Sequence, residues 1–383
     1  MELFNVYSKY NIALTRAKGS HVYDDKNQEY LDLYGGHGVI SVGHGHPDYK
    51  EALQLQLDKI GFYSNAIEIP EQIEVAKSLQ EITGYNNHEL FLCNSGTEAN
   101  ENALKLASFH TGKNTIIAFK NSFHGRTSAS LNVTDNPNIS STLNQENFPV
   151  IFCELNNSAQ LKEAFAENDV AGVIIEGIQG VGGLDAPDPN FLKLIYQLCK
   201  EHNAVSILDE IQSGCGRTGK FFAHQIVEET PDIITMAKGI GNGFPVAGVL
   251  VHKKIKPQKG MLGTTFGGNY LACAAIKAVL DILNQEELMK NAAELSEWFI
   301  KELENIPGNF KIKGRGLMLG LEFEFPVAEL RKTLLFEHHI FTGGSMNPNL
   351  LRILPPLNIN QSELQVFLDV LSKILKHEEL HIA

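Results

Sequence analysis

Three short segments of the chain carry residue types and spacings suited to chemistry. In CNSGTEANENALKLA (93–107), Asn94, Ser95, Gly96 and Thr97 lead into a helical pattern with Ala99, Ala103 and Leu106 on one face. A helix N-terminus offers free N–H groups and the positive end of the helix dipole. Gly96 lets the backbone approach closely, and Ser95 and Thr97 add hydroxyl donors, so a phosphate fits there. In VSILDEIQSG (205–214), a buried strand pattern delivers Asp209, Glu210 and then Gln212 at its carboxyl end, where ligands sit in parallel sheets. In DIITMAKGIGNGFPVAG (232–248), Lys238 follows another buried strand and precedes Gly239, Gly241 and Gly243. Burial shifts a lysine toward its neutral, nucleophilic form, and the glycines leave room for a flat ring beside the chain.

Each segment alone has a plainer account: a Ser/Thr helix cap with Glu98 in the first turn, an aspartate capping a loop, a lysine reaching solvent. Together they are more specific. Pyridoxal 5'-phosphate needs a phosphate cradle, a carboxylate opposite its ring nitrogen to keep that nitrogen protonated, and an amine for its aldehyde. The order cradle, Asp209, Lys238 meets all three needs, and it makes Asp209 and Lys238 the candidate catalytic residues.

Two other glycine patterns point to different chemistry. GCGRTGKF (214–221) nearly matches a nucleotide phosphate loop, which would make the chain a nucleotide-binding protein, but Phe221 stands where the magnesium-binding Ser/Thr belongs. Neither GIQGVGG (177–183) nor GIGNG (239–243) satisfies the dinucleotide fingerprint G-x-G-x-x-G. The histidines of GGHGVISVGHGHPD (35–48) lack a third ligand at a familiar spacing, so no metal is expected, and a Gly/Pro-rich turn accounts for 43–47.

The elements that must position these residues are short β-branched runs alternating with helical patterns: TIIAF (115–119), VIFC (150–153), VAGVIIE (170–176), AVSIL (204–208), DIITM (232–236) and VAGVLV (246–251). FLKLIYQLCKEH (191–202) places Leu192, Ile195, Leu198 and Cys199 on one face, as a crossover helix requires. This is an α/β class with a largely parallel sheet and helices on both faces. After about residue 275 the pattern predicts one long helix over roughly 274–305, a GRG turn, a strand in LMLGLEFE (317–324) and a closing amphipathic helix from Gln361. That implies a smaller α+β unit. The expected division is an N-terminal segment, 1–45, contributing to the small domain, a large cofactor-binding domain, 46–275, and a C-terminal small domain, 276–383.

The 383 residues, 43% apolar and 20% charged, suit a folded protein of more than one domain. A net charge of −13 argues against nucleic acid or an anionic membrane surface as partner. The N-terminal stretch lacks a basic opening and an apolar core, and the apolar stretches at 170–175 and 278–283 are too short to span a bilayer, so a cytoplasmic location is expected. Five cysteines without a CxxC pair suit a reducing compartment.

At this point the chain resembles a known family over nearly its whole length: the class III, ornithine-type aminotransferases, and within them the acetylornithine/succinylornithine group. The matching segments are NSGTEANENALKLA, SFHGRTSASL (122–131), EGIQGVGG (176–183), LDEIQSGCGRTGKFFA (208–223), MAKGIGNGFPVAG (236–248), TTFGGNYLACAAI (264–276), GRGLMLGLE (314–322) and LRILPPLNI (351–359). The resemblance implies the aspartate-aminotransferase type of fold, fold type I of the pyridoxal-phosphate enzymes, and a homodimer with its sites at the subunit interface. It implies that Gly96 and Thr97, with Ser95, bind the cofactor phosphate and that Thr265, in the 264–265 loop, reaches across from the partner chain. Phe123 would stack on the ring with His124 beside it, Asp209 would pair with the ring nitrogen, Gln212 would lie near the ring hydroxyl, and Lys238 would hold the cofactor and move the proton. Arg126 resembles the group that holds a distal substrate carboxylate, and Arg352 the one that holds the α-carboxylate of glutamate or 2-oxoglutarate. The implied reaction moves the δ-amino group of N-acetylornithine or N-succinylornithine to 2-oxoglutarate, in arginine biosynthesis, with free ornithine, 4-aminobutyrate or another ω-amine as the alternative donor.

The chain departs from the family pattern at an informative place. Many relatives read E-P-I-Q-G-E-G-G, where the second glutamate pairs with the glutamate-binding arginine while the amine donor is bound. Here Gly177 replaces the proline and Val181 replaces that glutamate. An unpaired buried charge is costly, so another acid, a water or a shifted arginine conformer is expected to take over at Arg352. His21 stands where ornithine aminotransferases place a substrate-contacting tyrosine, which tilts the expectation toward an acylated donor.

Overall fold

The computed structural model describes residues 1–144 and 148–376. Its centre is a seven-stranded sheet. The strands are β1 (His88–Cys93), β2 (Thr115–Phe119), β3 (Val150–Cys153), β4 (Val170–Glu176), β5 (Val205–Asp209), β6 (Ile233–Met236) and β7 (Ala247–His252). They lie side by side in the order β1-β7-β6-β5-β4-β2-β3. All neighbouring pairs from β3 to β6 are parallel, and β7 runs antiparallel to both β6 and β1. Both faces are covered, which is why β4, β5 and β6 are buried along their whole length and read as continuous apolar runs.

The crossover helix Pro189–Glu201 opens on a proline, which fits the first turn, and buries Leu192, Ile195, Leu198 and Cys199 as its spacing predicts. The strand β1 was not among the predicted runs. It pairs only with β7, its residues 88–91 are at most half-buried, and His88 and Glu89 dilute the apolar signal. The predicted long helix over 274–305 is instead two, Tyr270–Gln285 and Leu288–Glu304. Glu287 between them takes a left-handed φ of 50°, which turns the chain, so the second helix packs against the closing helix Gln361–Lys376 rather than continuing along the helices Pro47–Lys59 and Pro70–Thr83.

Outside the central sheet, Phe310–Arg315, Met318–Phe323 and Leu350–Ile353 form an antiparallel sheet. Near the N-terminus, Leu14–Lys18, His21–Asp24 and Glu29–Asp32 form a second small sheet, completed by a parallel pairing of Glu29–Asp32 with Ile340–Phe341. The two ends of the chain therefore share one sheet. Among the described residues no helix is long and apolar enough to cross a membrane.

Candidate active site

The parallel strands all end on one side of the sheet, and a cavity of about 440 Å³ lies there. Ser95, Gly96, Thr97, Phe123, His124, Arg126, Asp209, Gln212 and Lys238 all line it. Residues separated by more than a hundred positions are thus gathered at one strand-end crevice, as open α/β sheets favour.

The helix Gly96–Thr111 points its N-terminus at this cavity. Ser95 caps it, accepting from the Glu98 N–H at 3.3 Å, and Glu98 turns back to accept from the Asn94 backbone N–H at 2.8 Å. The N-terminal amides of Gly96 and Thr97 have no place in the helix ladder. The Thr97 hydroxyl lies 2.7 Å from that of Thr127 and 2.5 Å from that of Ser130. Gly125, at φ 145°, passes so close to Thr97 that a side chain there would collide with the threonine. This polar helix start is the part of the cavity suited to a phosphate.

The adjacent acids Asp209 and Glu210 part company at the end of β5. Asp209 lines the cavity and is nearly buried. Its Oδ2 accepts from Asn100 Nδ2 and lies against His124 Nδ1, both at 2.7 Å, while Oδ1 accepts from the Ile211 N–H at 3.0 Å. Asn100 is itself fixed by the Thr235 hydroxyl at 2.8 Å. On the far side of His124, Nε2 is buried without a partner. Glu210 points the other way, into the core, where its carboxylate accepts from the His224 N–H (2.8 Å), His224 Nδ1 (2.6 Å), the Ser213 hydroxyl (2.6 Å) and the Ala223 N–H (3.1 Å). Glu210→Ala would orphan these buried donors, and we expect it to lower stability by about 3–5 kcal/mol, read in thermal unfolding of the purified protein.

Lys238 follows β6 in a left-handed conformation, φ 46°, which costs a residue with a Cβ about 1–2 kcal/mol. Its amine makes no hydrogen bond or ion pair with any described residue and opens onto the cavity. Burial lowers its pKa to about 8, against the opposing pull of Asp209 and Glu176. About a tenth of the amine is then neutral at pH 7, far more than for an ordinary lysine, and the neutral form is the nucleophile. Of the glycines that follow, only Gly243 lines the cavity; Gly239 packs on Cys215 and Gly241 on Phe244 and Val246. Their smallness serves chain packing rather than a ring.

Glu176, at the end of β4, is buried beside Asp209 and accepts from the Phe123 and Gly180 N–H groups at 2.9 Å each. Burial pushes its carboxyl up to about 7, with His124 opposing and Asp209 adding to the shift. The sequence reading did not single it out; its place at a strand end beside Asp209 was the available signal.

The two arginines differ. Arg126 is exposed at the cavity wall, with its guanidinium 6.0 Å from the Phe123 ring centroid. Arg352 is buried on the strand Leu350–Ile353. Its Nε donates to the Gly344 carbonyl and its Nη1 to the Gly180 carbonyl, both at 2.5 Å. Longer contacts run from Nη1 to Gln212 Oε1, 3.5 Å, and from Nη2 to the Tyr34 hydroxyl, 3.4 Å. Among the described residues no carboxylate forms an ion pair with it, and Val181 contributes only an apolar wall. Of the expected replacements for the family glutamate, an acid is not seen among the described residues, and the carbonyls of Gly344 and Gly180 hold the arginine. Gln212 is divided between Arg352 and the His37 carbonyl, to which its Nε2 donates at 2.8 Å.

Three sequence candidates lie elsewhere. Thr265 is exposed and does not line this chain's cavity. His21 lies 3.4 Å from Glu363 of the closing helix, also away from the cavity lining. The loop 214–221 closes on itself: the Gly216 N–H donates to Phe221 and the Gly219 N–H to Gly216, and side chains at Gly216 and Gly219 would press on Met289 and Ala293. No helix follows it, and Arg217 is buried as a clamp on the carbonyls of Leu317 and Pro355 at 3.0 and 2.8 Å, so its amides form no phosphate cradle. His44 and His46 are engaged separately, each at 2.8 Å, with Asp32 and Glu286. No group of three potential ligands among the described residues is placed to hold a metal.

The donor set fits pyridoxal phosphate: an open helix start, a buried carboxylate, an unpartnered lysine of lowered pKa, and an orphaned ring nitrogen on the same wall. When bound, that cofactor supplies an aldehyde that captures amines and a ring that stabilises negative charge on the carbon next to the nitrogen.

Comparison with known proteins bears on the same question. The family model described as aminotransferase class-III matches residues 5–375. The acetylornithine aminotransferase of Bacillus subtilis is 38% identical over 381 residues, covering 98% of each chain. That of Methanosarcina acetivorans is 35% identical, covering 97% of this chain and 93% of its own. Among solved structures, the ornithine aminotransferase of Toxoplasma gondii superposes with a TM-score of 0.91 at 27% identity, covering 97% of this chain and 92% of its own. The acetylornithine aminotransferase of Elizabethkingia anophelis superposes with a TM-score of 0.82 at 29% identity, covering 97% and 95%. With the strand-end cavity and its lysine, this match over nearly the full length places the chain in the class III aminotransferases, pyridoxal-phosphate-dependent enzymes of fold type I.

Proposed function

We propose that this enzyme transfers the δ-amino group of N-acetylornithine or N-succinylornithine to 2-oxoglutarate, giving the acylated semialdehyde and glutamate. The observation that carries the reading is the placement of two arginines: Arg126 lines the cavity with Lys238, and Arg352 lies behind the lining residue Gln212, near enough for its charge to act on Lys238. Arg126 on the cavity wall suits a carboxylate far from the reacting nitrogen, and Arg352, beside Gln212, suits one next to it. A dicarboxylate acceptor would use both, and an acylated ornithine would use Arg126. The 35–38% identity to acetylornithine aminotransferases supports the same donor class. In this reading the enzyme serves arginine biosynthesis in the cytoplasm.

The cavity lining supports the following residue roles. Gly96 and Thr97, with Ser95, would hold the phosphate; Phe123 would stack on the ring with His124 beside it; Asp209 would keep the ring nitrogen protonated; Gln212 would lie near the ring hydroxyl. Lys238 Nζ would hold the aldehyde and, once released, would move the proton at the reacting carbon. Thr265 acts in trans within a homodimer. Its exposed loop lies among exposed aromatic residues, Phe266 at 60%, Tyr63 at 54% and Phe62 at 45% exposure, the kind of surface a partner covers. The large domain spans 46–275, and the small one combines 1–45 with 276–383.

Two measurements test this reading. Borohydride treatment of the holoenzyme should fix the cofactor's mass on the peptide containing Lys238. Single-turnover half-reactions with N-acetylornithine, N-succinylornithine, ornithine and 4-aminobutyrate should then proceed fastest with an acylated ornithine. Free ornithine or 4-aminobutyrate reacting fastest would overturn the donor assignment, and label on another lysine would overturn the site.

A further inference from the structure

In a two-step amino transfer, donor and acceptor occupy the same cavity in turn. When 2-oxoglutarate is bound, its α-carboxylate neutralises Arg352. When an ω-amine is bound, the carbon beside the reacting nitrogen carries no carboxylate, and a buried guanidinium would be left without a counter-charge. The contacts of Arg352 fall into two classes by length. The bonds to the carbonyls of Gly344 and Gly180, at 2.5 Å, anchor the group. Those to Tyr34 and Gln212, at 3.4 and 3.5 Å, are longer than ordinary N–H···O bonds and lie on the two terminal nitrogens. Those nitrogens are the edge a carboxylate would take bidentately.

The two long contacts belong to one structure. Tyr34 OH is hydrogen-bonded to His37 Nδ1, and the His37 carbonyl accepts from Gln212 Nε2 at 2.8 Å. Arg352, Tyr34, His37 and Gln212 thus close a ring. The ring depends on an unusual backbone: Gly35, Gly36, His37 and Gly38 all have left-handed φ, at 55°, 56°, 71° and 71°. That turn brings the His37 imidazole back onto a side chain three residues earlier, with ring centroids 4.8 Å apart. His37 is the one residue of the four with a Cβ, in a conformation that favours glycine. Burial, together with the charges of Arg352 and Lys238, lowers its pKa and favours the neutral imidazole. A neutral His37 with its proton on Nε2 accepts the Tyr34 O–H at Nδ1, leaving the oxygen lone pairs of Tyr34 for Arg352. Tyr34 also lies flat enough for the guanidinium to sit 5.7 Å from its ring centroid.

We propose that Tyr34, oriented by His37, is a neutral, displaceable cap on Arg352, and that it sets the balance between ω-amine and α-amino-acid substrates where Val181 supplies no carboxylate. The inference rests on the reading of Arg352 as the α-carboxylate site. Tyr34 is a positioning residue acting through Arg352. Its long contact stabilises the empty guanidinium, yet an incoming carboxylate replaces it at little cost. A carboxylate in the same place would have to be moved away as a charge.

The test uses holoenzyme and three readouts: single-turnover efficiency with N-acetylornithine, the same with glutamate, and the dissociation constant of glutarate, an unreactive dicarboxylate. Tyr34→Phe is expected to lower the N-acetylornithine efficiency about five- to tenfold, leave glutamate unchanged or faster, and tighten glutarate by a similar factor. His37→Ala should move all three in the same direction. Val181→Glu in the Tyr34→Phe background should return the ratio of donor efficiencies toward N-acetylornithine and weaken glutarate. Equal losses in both half-reactions with unchanged glutarate affinity would mean that Tyr34 is merely structural, and the proposal would fail. Arg352→Ala separates this from the underlying reading: if it leaves glutamate and glutarate untouched, the assignment of Arg352 itself is wrong. If it abolishes both while Tyr34→Phe moves neither the ratio nor the glutarate affinity, only the cap is wrong.

Discussion

Lys238→Ala is expected to lower turnover by about four orders of magnitude or more, because in the proposed roles the amine both holds the cofactor and moves the proton at the reacting carbon. The protein should remain folded, since the Lys238 amine makes no hydrogen bond or ion pair with any described residue. The substitution also separates chemistry from assembly. Co-expressed with a Thr265→Arg chain, it should recover activity toward about a quarter of the wild-type level, because a mixed dimer contains one site with both native residues. No recovery in verified mixed dimers would place Thr265 outside the partner's site.

The same lysine carries a stability consequence of definite sign. Its folded-state pKa of about 8 lies below the ordinary 10.5, so folding disfavours the protonated form. The penalty is absent above the ordinary value, grows as pH falls from about 10.5 toward 8, and stays constant below that. Cofactor-free Lys238→Met should therefore be more stable than cofactor-free wild type at pH 7, by on the order of 3 kcal/mol, with the gap closing toward pH 10.5. Chemical unfolding of the two proteins across that range reads it directly. A gap that does not depend on pH would mean that the lysine is not held against its charge.

Asp209→Asn is expected to reduce turnover about a thousandfold with the fold intact. The amide is nearly the same size, but it cannot balance a protonated ring nitrogen, and its NH2 group would face donors on Asn100 and His124 in one orientation. The cofactor should also dissociate more readily, measured by its loss on dialysis. Asp209→Glu keeps the charge at a displaced position and should retain more activity than the asparagine variant. Equal activity of Asp209→Asn and wild type would remove Asp209 from the catalytic group.

The central sheet was legible because its strands are buried on both faces. Runs such as 115–119, 150–153 and 170–176 appear in the structure with the predicted bounds. The edge strand His88–Cys93 was not, since a half-exposed strand beside a single neighbour need not be uniformly apolar. The break at Glu287 was also illegible: nothing in a run of good helix formers marks a turn that tertiary packing imposes.

The site divides in the same way. Residue type and chain order alone brought out Lys238, Asp209 and the Gly96–Thr97 helix start, because a nucleophilic amine, a carboxylate and a phosphate cradle are chemical requirements that few side chains meet. Which of two adjacent acids enters the cavity was a matter of strand alternation and of what lies on each face: His124 and Asn100 receive Asp209, and His224 and Ser213 receive Glu210. The near-match to a nucleotide loop already failed in the sequence at Phe221, and the fold adds the reason its glycines are there: Gly216 and Gly219 pack on Met289 and Ala293 of a helix. The surroundings of Arg352 depended on the tertiary structure most of all. The sequence established that a carboxylate was missing at Val181; the folded chain decided that carbonyls of Gly180 and Gly344 anchor the arginine and that Tyr34 and Gln212 meet it from afar. The physical reason is that covalent spacing governs chemistry within one segment, whereas the partner of a buried charge comes from whatever distant segments the packing of the sheet and the small domain bring against it.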